Sequence, residues 1–499
     1  MTELIRNPKQ AQLDHYDIII VGGGIYGAML LLEASRRNQK ALLLEKQDFG
    51  GGTSYNSLRI IHGGLRYLQT MDIIRFYESV AERRWFLQTF PEFVKPMSCL
   101  MPLYNKGAKR PAILKAALTL NDILSAFRNN GVDANRIIPN GRVLDADETA
   151  ELFPGVVTTG LSGSALWHDA HAPDTQRIII ETLLWAASME AKALNYVEVT
   201  NLITSKHSVA GVQAIDSETG EKLEFQCKKV INATGPGSRK ISQKWDKDIP
   251  ELFRSSIAWN ILFDCPAPSQ YALALSPDKK AAHTYFLHPW KGRLLAGTGH
   301  SPVNAKNAAQ PDDLSIDQFI EDLNMVLSDV ELARENIEHI YAGNLPVTEE
   351  GGTKLTKRAV IHDHGSNGGP KNLYSVSGIK FTTAHKEAKR AIDSIFGAPC
   401  AQPLNRPGLN SSPELVCKDY NWMPDENDLT WKAALRKIIE TESVVHLDDL
   451  IYRRTSIGDN RIRTERMAAE IAGLFGWESN RRHHEIASID MKLNTYSSI

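Results

Sequence analysis

The chain has no hydrophobic run long enough to span a bilayer, and Met1 to His15 is polar where a secretory signal would carry an apolar core. A cytoplasmic protein is therefore expected. Cysteine is scarce: the five residues Cys99, Cys227, Cys265, Cys400 and Cys417 are odd in number and show no C-x-x-C spacing. That pattern argues against a disulfide framework and against a zinc site, and no metal is expected. An excess of either charge is also missing, with 57 Lys and Arg against 59 Asp and Glu, so nothing suggests a nucleic-acid partner. What remains is an ordinary globular composition, 42% hydrophobic and 23% charged, in 499 residues, enough for two or three domains.

The richest stretch is the first. Asp17-Ile18-Ile19-Ile20-Val21 reads as a buried strand that runs into Gly22-Gly23-Gly24-Ile25-Tyr26-Gly27 and then a helix from Ala28 to Arg37. A second apolar run, Ala41 to Leu44, ends at Glu45 and Lys46. This is the order of a dinucleotide-binding βαβ unit. Gly22 permits the tight turn, Gly24 the approach of backbone to a pyrophosphate, and Gly27 the close packing of helix on strand, while the helix N-terminus attracts the phosphates. Glu45 is placed to bind a ribose and disfavours a 2′-phosphate, which points to FAD or an NAD-like ligand.

After this unit come Thr53-Ser54 and Arg59-Ile60-Ile61-His62-Gly63-Gly64-Leu65-Arg66-Tyr67-Leu68. Here the chain resembles the FAD-dependent glycerol-3-phosphate dehydrogenases and oxidases, within the glutathione-reductase-type flavoproteins that include D-amino-acid oxidase. Their pattern is A-T-S followed by S-K-L-I-H-G-G-L-R-Y-L. The likeness continues at Asn232-Ala233-Thr234-Gly235-Pro236-Gly237, Pro289-Trp290, Gly297-Thr298, Ser377-Gly378-Ile379-Lys380-Phe381-Thr382-Thr383 and Leu447 to Thr455. The resemblance implies FAD as cofactor, in contact with Gly22, Gly24, Ile25, Tyr26, Gly27, Glu45, Lys46, Thr53, Ser54, Arg59, His62, Gly63, Gly64, Val199, Ala233, Thr234, Gly235, Gly378, Lys380, Phe381, Thr382 and Thr383. It also permits contact with the inner face of a membrane, as in quinone-reducing relatives.

The expected fold is α/β with α+β: a Rossmann-like FAD domain of glutathione-reductase type, an antiparallel substrate domain and a small C-terminal helical domain. The FAD domain is assigned residues 1–100, 161–250 and 351–398; an insertion 101–160 caps the substrate domain, 251–350. A Pro- and Asn-bearing linker, 399–426, leads to helices over 427–499. Asp72 to Phe90 has helical spacing in Ile73, Ile74, Phe76, Tyr77, Val80 and Phe86, and the basic stretch that ends at Asn130 reads as a solvated face. Arg453-Arg454 reads as a solvated or interdomain pair. His168, Asp169 and His171 do not match a metal-ligand spacing, and Asp174 is expected to cap a helix.

The chemistry implied is oxidation of a CH–OH group, with hydride transfer to flavin N5 and re-oxidation by quinone, oxygen or another carrier. A neutral imidazole suits removal of the hydroxyl proton, so His62 is the candidate base; a structural histidine or a flavin attachment point are its alternatives. Arg66 and Lys380 are candidate catalytic cations. The family holds its phosphate with arginines, because a guanidinium meets a phosphate through paired charged hydrogen bonds. At those places this chain has His283 and Leu345, and a Lys-Gly-x-His run is replaced by Ile257-Ala258-Trp259-Asn260. Arg59, His283 and Arg358 are the substrate-binding candidates, with Arg293, Lys354 and Lys357 as substitute charges. The donor expected is another polyol, sugar derivative or hydroxy acid. Genuine glycerol-3-phosphate oxidation, amine or amino-acid oxidation, and a catalytically idle flavin-binding assembly subunit stand as alternatives.

Overall fold

In a computed structural model the chain is described at all residues except 1, 106, 108, 278–282, 304–309, 398–405, 408–414, 417, 426–428 and 498–499. Most of the expected linker lies outside the described residues. The chain divides into two compact units, the first built from Met1–Tyr55, Asp174–Ser256 and Asn344–Thr495, the second from Asn56–Pro173 and Ile257–Gly343 with Tyr496–Ile499. These divisions differ from the boundaries drawn on the sequence, because strand pairing draws Asn56 to Leu100 into the second unit.

The first unit is organised on a six-stranded sheet in the order Val360–Asp363, Leu373–Ser377, Val230–Asn232, Ile18–Val21, Ala41–Leu44, Lys192–Leu194. The inner pairings are parallel, with Ile20 between Ile231 and Leu43. All four residues of Ile18–Val21 are buried, as are those of Ala41–Leu44, which is why both strands read as unbroken apolar runs. The Ile25–Ser35 helix crosses between these two strands. Its Gly27 lies so close to the turn that a Cβ would stand 1.8 Å from the Gly22 carbonyl oxygen, and Gly22 has φ +110°. A four-stranded sheet, His15–Tyr16, Lys222–Cys227, Ser208–Asp216 and Val197–Ser205, belongs to the same unit. So do the C-terminal helices Thr430–Thr441, Arg461–Ala472 and Ser479–Ser497.

The second unit holds a nine-stranded sheet among its described residues. The strands of the expected substrate domain pair antiparallel where their register is described, Leu273 with Leu287 and Leu287 with Ala296, and the sheet becomes mixed only where Lys95–Pro102 enters beside Ala272–Leu275 and Leu100 pairs parallel with Leu273. Its apolar face buries Trp259, Leu273, Leu287, Leu294 and Phe319. The Ile73–Thr89 helix buries Phe76, Val80 and Phe86 but leaves Ile74 61% and Tyr77 39% exposed. The basic stretch becomes the Pro111–Leu124 helix, which buries Leu114 and Leu118 and exposes Ile113, Leu120 and Ile123. Its outer face is thus partly apolar where a solvated polar face was expected. Among the described residues no helix is long and apolar enough to cross a membrane.

Candidate active site

In the first unit the glycine-rich turn meets its acid. Glu45 Oε2 accepts the Gly23 N–H at 2.6 Å and Oε1 accepts the Gln47 N–H at 2.9 Å. Burial pushes the Glu45 carboxyl up, against these two bonds. Ser54 Oγ accepts the Ile25 N–H at 3.1 Å, in the first turn of the helix whose cap, Gly24, has no side chain to offer. Lys46 is exposed, Thr53 Oγ1 donates to the Asn344 carbonyl at 3.3 Å, and Val199 is buried in Val197–Ser205. Ala233-Thr234-Gly235 leaves the sheet beside the same turn: a Cβ on Gly22 would lie 2.7 Å from the Ala233 carbonyl oxygen.

Tyr26 ties this turn to a segment more than 350 residues away. Its hydroxyl accepts the Ile379 N–H at 3.2 Å and donates to the Lys380 carbonyl at 3.1 Å, and burial pushes the phenol up to about 12. The ring runs over Gly378, where a Cβ would stand 1.8 Å from it. The Phe381-Thr382-Thr383 segment then opens the Ala384–Phe396 helix, with Thr383 at the cap and Thr382 buried. Two helix N-termini, those of Ile25–Ser35 and Ala384–Phe396, therefore stand on turns joined by one tyrosine. Backbone N–H groups, glycines without Cβ atoms and an acid at the end of the second strand are the donor set that an FAD diphosphate and ribose require, so these residues fit the cofactor.

His62, Gly63, Gly64 and Arg66 lie in the second unit, Lys380 in the first. His62 follows the Ile60–Ile61 strand, which pairs antiparallel with Ala170 and His171. Its ring is 45% exposed, meets Phe286 edge-on at 5.6 Å, and brings Nδ1 to 3.1 Å from Asp169 Oδ2. Gly64 takes φ +88° and caps the short helix that carries Arg66, an exposed guanidinium 5.4 Å from the Tyr67 ring centre. Arg59 has φ +63° and is 1% exposed, its guanidinium 6.0 Å from the Trp290 ring and 5.0 Å from that of Tyr341. His171 meets His288 edge-on at 4.9 Å.

The other candidates lie apart from these. His283 is exposed, and its charge adds to the burial that lowers the affinity of His300 for a proton. Arg358, Lys354 and Lys357 are exposed, and Arg293 pairs with Asp264 at 3.0 Å. Asp174 does precede the Thr175–Ala187 helix, but its side chain makes no cap bond; Oδ1 instead accepts from Gln176 and Ser456, each at 3.3 Å. Among the described residues no group of three or more potential metal ligands stands together. The contact of Asp169 with His62 is what spacing missed: it follows from the strand register that sets the two side by side, 107 positions apart.

Residues 17–386 match the model of the family described as FAD dependent oxidoreductase, DAO. The chain belongs to this family. It is an FAD-dependent oxidoreductase. A glycerol-3-phosphate dehydrogenase of Synechocystis is 31% identical over 82% of the chain, which spans 76% of that protein. A probable mitochondrial glycerol-3-phosphate dehydrogenase of Caenorhabditis elegans is 28% identical over 77%, and the chain spans only 53% of it. In fold the chain resembles the FAD-complexed glycerol-3-phosphate dehydrogenase of Bacillus halodurans, with a TM-score of 0.71 over 97% of this chain and 96% of that one, at 19% identity. The DAO assignment agrees with the mixed α/β architecture and the C-terminal helical region.

Proposed function

We propose that the protein catalyses FAD-dependent oxidation of a CH–OH group in a small-molecule donor, with His62 as the base that takes the hydroxyl proton. FAD, when bound, supplies the two-electron acceptor, which a quinone, oxygen or another carrier re-oxidises. The observation that carries this reading is the contrast among the imidazoles of the second unit. Burial pushes His171 well below the ordinary histidine range, His288 down to about 4 and His339 down to about 3. His62 instead keeps a ring 45% exposed, open to a solute, and carries the family motif. Arg66 and Lys380 are the cations proposed to steady negative charge on the donor.

The donor proposed is a polyol, sugar derivative or hydroxy acid other than glycerol 3-phosphate. His283 and Leu345 stand where the resemblance expects phosphate-binding arginines, and Arg293 is already paired with Asp264. Glycerol 3-phosphate itself is the second reading, favoured by the names of the relatives. Anaerobic bleaching of the flavin absorbance against glycerol 3-phosphate, polyols, sugars, hydroxy acids and amino acids separates the two. Bleaching by another hydroxyl compound alone supports the altered donor, and rapid bleaching by glycerol 3-phosphate overturns it. Bleaching by amino acids alone would sink the CH–OH reading, and bleaching by any donor removes the idle-subunit alternative.

A further inference from the structure

Asp169 is buried, 4% exposed, in the Ser164–His171 strand, and both its oxygens are engaged. Oδ2 faces His62 Nδ1 at 3.1 Å, while Oδ1 accepts the Gly63 N–H at 2.6 Å and Arg83 Nη1 at 3.2 Å. Arg83, from the Ile73–Thr89 helix, is equally buried and also donates Nη1 to the His168 carbonyl at 2.5 Å. The guanidinium lies flat against the backbone of the motif: a Cβ at Gly63 would stand 2.1 Å from Arg83 Nη1. Burial alone would raise the Asp169 carboxyl, but the bond to His62, the charges of His62 and Arg83, and the Gly63 N–H bring it down to about 2. With the Gly63 N–H and Arg83 both donating to Oδ1, the group is held as a carboxylate.

An ionised carboxylate can only accept hydrogen bonds, so a neutral imidazole in contact with it must carry its proton on Nδ1. We propose that Asp169, held by Arg83 and the Gly63 N–H, is a positioning residue that fixes His62 as the Nδ1–H tautomer and leaves the Nε2 lone pair to receive the donor's proton. In that step the donor O–H bond breaks and an Nε2–H bond forms. The positive charge that appears on the ring is met by Asp169 across Nδ1. Arg83 adds a permanent counter-charge to the buried carboxylate, and the glycine at position 63 is what admits it. The inference rests on His62 being the base, but the tautomer is a property of the protein with or without a donor.

The test follows that separation. Long-range 1H–15N correlation on FAD-loaded protein with 15N-labelled histidine reads which ring nitrogen carries the proton, with the His62 signals assigned by their loss in His62→Gln. Nδ1–H is expected in the native protein, and a shift toward Nε2–H in Asp169→Asn, whose amide can donate to Nδ1. A native Nε2–H ring, or an unchanged tautomer in Asp169→Asn, overturns the proposal whatever the donor turns out to be. With a donor that bleaches the flavin, Asp169→Asn should slow flavin reduction by about 10²- to 10⁴-fold at full FAD content, the range for losing a base or its tautomer. Asp169→Glu, which keeps an acceptor-only group, should retain Nδ1–H and reduce the flavin faster than Asp169→Asn. It also serves where the asparagine variant does not load FAD. Equal rates and equal tautomers in the two variants would reduce Asp169 to a scaffold and sink the idea.

Discussion

At residue 63 a hydrogen atom stands where any other residue would carry a β-carbon, and a buried guanidinium takes the space. Gly63→Ala is expected to displace Arg83 from its contact with Asp169, an ion pair whose breaking in the interior costs about 3–5 kcal/mol. The expected outcome is a lower melting temperature together with loss of flavin reduction; an alanine variant with native stability would show that the guanidinium moves freely. Glu45 makes the complementary case in the first unit. Glu45→Gln removes the charge that accepts the Gly23 N–H, a bond worth about 1.5–3 kcal/mol when its acceptor is ionised. FAD affinity, measured by titration of the apoprotein, should fall by about 10-fold or more. The turn at Gly22 and the close packing at Gly27 were legible because each belongs to one local turn. The contact of Asp169 was not, because it depends on the register of Ile60–Ile61 against Ala170 and His171, which no spacing along the chain encodes.

The Ile73–Thr89 helix shows what periodicity can and cannot give. Its ends were legible, and Asp72 Oδ1 caps it by accepting the Arg75 N–H. Its face was only half legible, since Ile73, Ile74, Phe76 and Tyr77 spread over roughly 160° of the helix, wider than a buried stripe needs to be, and a 3.6-residue repeat cannot choose among them. Tertiary packing chose Phe76, fully buried, over Ile74, 61% exposed. Phe76→Ala should therefore destabilise the protein by about 3–5 kcal/mol, and Ile74→Ser by less than about 0.5 kcal/mol. Thermal or denaturant unfolding checks both, and similar losses from the two would mean that the helix buries another face. The Ser164–His171 strand was hard to read for a related reason: seven of its eight residues are buried, so it shows no alternation of polar and apolar positions.

Across the whole chain, the C-terminal helices are fastened to the rest of the first unit by charges as well as by apolar surface. Arg177 donates to Glu442 through both terminal nitrogens, at 2.6 and 2.9 Å, and Arg454 does the same to Asp48 at 2.6 and 2.8 Å. Of the two readings of Arg453-Arg454, a solvated or an interdomain salt-bridging pair, the structure has the salt-bridging one: both face a carboxylate three positions after Glu45. His446 adds a titrating clamp: its ring nitrogens face Glu485 at 2.7 Å and Glu218 at 2.9 Å. The Glu485 bond, against burial and with the charges of Glu485, Glu218 and Asp449, raises the imidazole to about 9. A raised folded-state value means that the stabilisation is complete below the unfolded value, about 6.5, and fades as pH climbs through about 9. With solvent screening the clamp contributes about 1 kcal/mol. The melting temperature should fall from pH 6 toward pH 10, and His446→Gln should flatten that slope; an unchanged slope would place the alkaline sensitivity elsewhere.

Asp48 and Arg454 are 406 positions apart, and the ribosome makes them in that order. A nascent chain that has already produced the glycine-rich turn and Glu45 still has a carboxylate beside them whose two guanidinium partners do not yet exist. The loop from Asp48 to Ser54, which supplies Ser54 Oγ to the helix N-terminus, gains its final anchorage only when the C-terminal helices emerge. The loop beside the cofactor motif is thereby anchored by residues that lie some four hundred positions after it in the chain.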